Sequence, residues 1–224
     1  MQTTAPSPTS SAAGSPAALL RWAPLSGIAA VVFFAVGVVA SSPPGTGASD
    51  SRWTAAYAAS HDAGHITTGV CLVLSGLMFV LFTAELWGRI AGREPAGRPS
   101  PVPLAAAAVT AACMSVGGVL MAAPSAVVSG GGPVPGADVL RLCNNTGFAM
   151  VAIPGMLAAA VAVTALSIQG RRAALFGGRL QVFGFVVALA LLASLAFIPI
   201  LAWLLWLVVL AVYQLRTPVA EAGR

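Results

Sequence analysis

The sequence predicts an all-α fold, a polytopic transmembrane helix bundle of about six spans. Three observations carry that expectation. Hydrophobic residues make up 58% of the 224 and charged residues only 8%, where soluble domains carry about a quarter, and mean hydropathy is +0.91. The apolar residues fall in runs of membrane-crossing length, separated by stretches rich in Pro, Gly and Arg. Arginines concentrate in alternate gaps between those runs, as the cationic bias of cytoplasmic loops demands. So few charges could not cover a water-soluble globule, and three cysteines cannot build a disulfide scaffold.

Residues 1–20 are rich in Ser, Thr, Ala and Pro and carry no charge. They bury too little apolar surface to offset the entropy of ordering, so residues 1–22 read as a disordered cytoplasmic tail. The first apolar run, Pro24 to Ala40, opens on a proline that suits a first helical turn. It stops at Ser41-Ser42-Pro43-Pro44-Gly45. Arg21, this run and Val38-Val39-Ala40 also resemble a cleaved secretory signal. The length of the run and the further spans favour a retained helix.

The second run is Ile66 to Trp87, with helix expected from near Ser51, since only Gly64 interrupts the intervening residues. The third is Leu104 to about Val128. The fourth is Thr146 to Ile168, kinked at Pro154, a disruption that neighbouring membrane helices stabilise. Leu180 to Leu215 would measure about 54 Å as one helix, far beyond a core of about 30 Å. Pro199 lies at its middle and biases Ile198 away from helix, so two short spans joined as a tight hairpin are expected.

Charge placement agrees. With both termini inside, nine arginines fall on the cytoplasmic side and only Arg52 and Arg141 outside; a single closing span would make it seven against four. Residues 23–216 are thus the transmembrane domain and 217–224 a short cytoplasmic tail of a multi-pass protein of the bacterial inner (cytoplasmic) membrane. Gly37 and Ser41, Gly155 and Ala159, and Ala56, Ser60, Gly64 and Thr68 are small residues at spacing four, which let membrane helices approach closely.

The net charge of +5 would suggest nucleic acid in a soluble protein. Here the arginines are scattered orientation charges, and no nucleic-acid partner is expected. No Asp, Glu or Arg stands mid-span, which counts against an ion-coupled transporter. Glu85 and Arg89 read as an i,i+4 ion pair. No phosphate-binding loop is present, and Gly130-Gly131-Gly132 reads as a flexible connector.

The one constellation with metal chemistry is His61-Asp62-Ala63-Gly64-His65, which holds both histidines of the chain. At spacing four on a helix the two imidazoles share a face, as a zinc pair requires, and the pattern approaches H-E-x-x-H. A third ligand would come from Asp138, Cys143 or Asp50. Against this, Trp53, Tyr57, His61 and His65 continue one stripe at spacing four, which reads as an interfacial anchor. Asn144 and Asn145 suit a helix cap or the lining of an outer pocket beside the histidines. Cys71, Cys113 and Cys143 read as small buried hydrophobes, with a Cys71–Cys143 bridge as the alternative.

A first span ending in Pro-Pro, the Tyr57-Ala58-Ala59-Ser60-His61 helix entry, the kinked fourth span and a closing hairpin with Trp203-Leu204-Leu205-Trp206 together resemble a group of actinobacterial six-span integral membrane proteins. The likeness covers about residues 24–216; it implies the architecture and assigns no catalytic residue. The favoured functional expectation is a non-enzymatic protein that binds a lipid or small apolar solute, or serves as an accessory subunit. The alternatives are an outer-face metal-dependent hydrolase using His61 and His65, and a carrier for a neutral solute. Residues 50–68 and 138–146 are expected to meet over the bundle, forming an outer pocket of His61, His65, Asn144 and Asn145.

Overall fold

The computed structural model describes residues 16–40, 43–45, 47–58, 62–93, 99–193 and 198–216, and among these every regular element is helical. Helix α1 is Pro16–Ala40, α2 Asp50–Ala56, α3 Asp62–Ala91 and α4 Val102–Ser129. Helix α5, Ala137–Met150, runs through a π turn at Val151–Gly155 into α6, Met156–Arg172; α7 is Gly178–Leu191 and α8 Ile198–Arg216. Four stretches are long and apolar enough to cross a membrane: Ala63–Ala91, Val102–Ser129, Ala137–Arg172 and Pro199–Arg216. Pro24–Ala40 and Gly178–Leu191 are shorter apolar helices. Val32, Val70, Leu81, Val119, Val161 and Leu189 are all exposed, while Ala30, Ser75, Ala107, Thr110 and Ala159 are buried. Apolar side chains exposed along helices of membrane-crossing length, with small residues between the helices, suit a membrane-embedded helical protein.

Close backbone approach organises the interior. A Cβ on Gly118 of α4 would lie 2.7 Å from the Gly69 carbonyl oxygen of α3, and one on Gly69 would lie 2.7 Å from that of Gly118. On α5, Gly147 stands in the same relation to Gly117 of α4, at 2.7 and 2.6 Å. Adjacent glycines therefore press α4 against a neighbour on each side. Helices α1 and α3 are stitched instead by hydroxyls. Thr68 donates to the Gly37 carbonyl at 2.7 Å and Ser75 to that of Ala30 at 2.9 Å. Helix α8 enters this core through Trp203, edge-on to Phe34 and Phe79 at centroid distances of 6.0 and 5.2 Å.

The bundle has two unlike ends. At one, Trp87 and Gln169 both donate to the Ser100 carbonyl, and Tyr213 donates to that of Leu175. Arg89, Arg93, Arg171, Arg172, Arg179 and Arg216 belong to this end. The expected Glu85–Arg89 pair is made there, at 2.6 Å. The opposite end carries α2, Arg52 and Arg141.

Four expectations need correction. The entry helix does not run unbroken from Ser51; it stops at Tyr57, where the backbone turns (φ −105°, ψ 8°). Burial of Trp53 and Tyr57 against Ala137 and Leu140 of α5 outweighs local helix propensity, so the stripe from Trp53 to His65 is not one helix face. The fourth span begins not at Thr146 but at Ala137, after Gly136. Asn144 and Asn145 are therefore interior to α5 and cap nothing. All three cysteines are free, which removes the Cys71–Cys143 bridge. The stretch from Leu180 to Leu215 comprises two helices, α7 and α8, packed on each other, and α1 begins at Pro16, inside the segment expected to be tail.

Candidate functional site

The α2 end is built around Arg141 of α5. Its guanidinium donates to the Ala48 carbonyl at 2.9 Å, to Asp50 at 2.6 Å and to Asp138 at 3.3 Å, and lies 5.9 Å from the centre of the Trp53 ring. Exposed ion pairs contribute little each. Here one cation gathers the loop, the start of α2 and the first turn of α5, and so fixes α2 across the end of the bundle.

Beneath α2, Tyr57 stacks on His65 of α3 with ring centroids 4.0 Å apart and planes 6° from parallel. Both rings are buried. Burial, and secondarily the Cys143 thiol of α5, push the Tyr57 hydroxyl up to about 12. Four buried polar atoms at this end find no hydrogen-bond partner among the described residues: Trp53 Nε1, Tyr57 Oη, Ser125 Oγ and Asn144 Oδ1. Each such group costs about 1–3 kcal/mol if left unsatisfied. The glycine contacts bring Ser125 and Asn144 to the level of His65. Gly69 abuts Ala122, and Gly147 abuts Met121; one turn nearer α2 come His65, Ser125 and Asn144.

The next turn inward is apolar. A cavity of about 230 Å³ is lined by Phe34, Gly37 and Val38 of α1, Thr68 and Leu72 of α3, Met121, Phe148, Val151, Ile200 and the loop residue Pro43. Its lone hydroxyl, that of Thr68, is already committed to carbonyls within the bundle. Val38 and Phe148 are 40% and 37% exposed, so the cavity opens sideways between α1 and α5. The π turn helps to shape it. Pro154 cannot donate a backbone hydrogen bond, the helix widens over Val151–Gly155, and Val151 is set towards the cavity.

The two stretches expected to meet do so, through Arg141 with Asp50 and through Trp53 and Tyr57 with Leu140. Of the expected pocket residues, His65 and Asn144 are buried at this level, Asn145 faces outward, and His61 lies outside the described residues. Asp138 and Asp50 are occupied with Arg141, and Cys143 is half-buried and free. Among the described residues no three His, Cys, Asp or Glu side chains gather as a metal site would need. Sequence reasoning missed Ser125, whose hydroxyl looked like one more small residue in an apolar run, and it missed the cavity. The signal within reach was spacing: Asn144, Phe148 and Val151 on α5, and His65, Thr68 and Leu72 on α3, form polar-to-apolar stripes with helical period.

No protein-family model, curated protein or solved structure matches the chain. Geometry alone carries the functional reading.

Proposed function

We propose that this is a six-span protein of the bacterial inner membrane, with both termini cytoplasmic, that binds a lipid or small apolar solute without transforming it. The observation that carries the reading is the sideways-opening apolar cavity at Phe34, Leu72 and Val151. Its volume exceeds the ~150 Å³ at which an apolar protein cavity takes up benzene, and its lining offers no group that could activate a substrate. Segregated arginines support the orientation, with the α2 end outside. Helices α1 and α7 complete the six crossings, α7 pairing with α8 as the closing hairpin. The kinship with actinobacterial integral membrane proteins belongs to the same proposal.

The test is saturable quenching of intrinsic tryptophan fluorescence by 1-bromodecane in nanodiscs, since Trp203 packs on the cavity-lining Phe34. The parent shows a saturable component. Val38→Phe, which narrows the mouth from a lipid-facing position, abolishes it while the protein still inserts and elutes as the parent does. Quenching that rises without saturation in the parent, or that Val38→Phe leaves unchanged, overturns the reading.

A further inference from the structure

We infer that the groove between α7 and α8, at the arginine-rich end of the bundle, holds one anionic phospholipid. Its phosphate lies between Arg179 and Arg216, and one acyl chain runs along Phe183, Leu205 and Val209. This site is separate from the cavity at Phe34, Leu72 and Val151 and stands without it. The groove has a volume of about 490 Å³, and Arg179, Phe183, Leu205, Val209 and Tyr213 are among its walls. Leu205 is 54% exposed, so the groove opens outward from the bundle along its length.

Helical spacing sets the order of groups along it. On α8, Leu205, Val209 and Tyr213 are four residues apart and Arg216 follows three later, so all four share one face of the helix. The apolar part, from Leu205 to Tyr213, runs for about 12 Å at about 1.5 Å per residue. On α7, Arg179 and Phe183 stand four apart on the opposite wall. Arg179 lies in the first turn of α7, and Arg216 is the last residue of α8. Tyr213 donates to the Leu175 carbonyl, just before α7, at 2.9 Å, which brings the end of α8 beside the start of α7. Both guanidiniums therefore belong to the same end of the groove. That hydrogen bond, with the edge-on contact to Phe176, fixes the Tyr213 ring between the apolar wall and the cations.

Charge selects the occupant. Arg89 and Arg141 are paired with carboxylates, whereas Arg179 and Arg216 have no acidic partner among the described residues. The described carboxylate at this end, Glu85, is committed to Arg89. An ammonium-bearing headgroup would thus find no counter-charge here, and a net-anionic one finds two. A phosphodiester presents paired oxygens, the geometry that a guanidinium fork matches. A small soluble anion would satisfy the arginines but leave the apolar wall uncovered. An anionic phospholipid covers both, and basic residues at a membrane surface draw such lipids to them.

The experiment is native mass spectrometry of the full chain, released from detergent with equimolar phosphatidylglycerol and phosphatidylcholine of matched acyl chains. The parent retains one phosphatidylglycerol, in about tenfold preference to phosphatidylcholine, the size expected of two guanidiniums acting on one anionic head. In Arg179→Gln/Arg216→Gln the preference is lost; both positions are exposed, so the fold is kept. Arg171→Gln/Arg172→Gln removes equal charge from the same end but outside the groove, and keeps the preference. Val209→Trp fills the groove without changing charge and removes the retained phosphatidylglycerol, whereas Val38→Phe, at the cavity mouth, leaves it bound. Equal retention of the two lipids by the parent, or a preference that survives Arg179→Gln/Arg216→Gln, overturns the site. Equal loss in Arg171→Gln/Arg172→Gln also overturns it, by showing a diffuse attraction to the whole end. Undiminished retention in Val209→Trp, or loss in Val38→Phe, places the lipid elsewhere and overturns the groove.

Discussion

Tyr57 concentrates the physics of the α2 end in one side chain. Its ring is fully buried, stacked on His65, and its hydroxyl proton is held so tightly that it titrates near 12 instead of 10. Because the folded-state value is the higher one, the stabilisation is complete below pH 10 and is lost as the pH rises towards 12. Alkaline denaturation of the parent in detergent should therefore begin above pH 10 and be blunted in Tyr57→Phe. The difference in tyrosinate absorbance between the two proteins should show a midpoint near 12; a midpoint at 10 would mean that the ring is open to water. At this scale the sequence was half legible. The chemistry of His65 and Asn144 marked them as unusual in an apolar chain, but their partners depend on α2 folding back over α5, a contact between residues far apart in the chain that no local pattern encodes. The stripe from Trp53 to His65 rested on one continuous helix, and the turn at Tyr57 removed that premise; His61 lies outside the described residues.

Helix contacts show the same division. The apolar runs announced the helices because backbone groups in a hydrocarbon core must be satisfied within each segment. Which glycines matter could not be read from spacing four alone. Gly117 and Gly118 are neighbours in sequence, yet they serve two different partners because successive residues on a helix point about 100° apart. Gly118→Val places its side chain against the backbone of α3 and should lower stability by about 2 kcal/mol, as overpacking does, read as a lower thermal midpoint in detergent. Gly88→Ala is the control: a Cβ there meets nothing within 4 Å, so the midpoint should hold or rise, since alanine favours helix. Equal loss in both variants would refute the specific crossing. Pro154 was visible as a kink. Its form as a π turn was not, because that depends on the glycine contacts before it and on Thr110, which donates to the Gly155 carbonyl at 3.2 Å after it.

For the molecule as a whole, arginine asymmetry supports the proposed orientation and the lateral cavity supports the proposed function. Reporter fusions at residues 95 and 175 and at the C-terminus should report cytoplasm, and one at residue 132 the outside; a cytoplasmic signal at residue 132 would invert the bundle and place the α2 end inside. Composition made a membrane bundle legible at once, since so few charges leave no other solvent for the chain. A cavity is a property of how six apolar helices fail to fill space together, and no single stretch of sequence contains it. The most direct measurement is anomalous scattering from crystals of the parent protein grown with 1-bromodecane. The account predicts a bromine peak between Phe34, Leu72 and Val151, absent from Val38→Phe crystals. Bromine found only along the outer ridges of Val and Leu side chains, with the cavity empty, would contradict it.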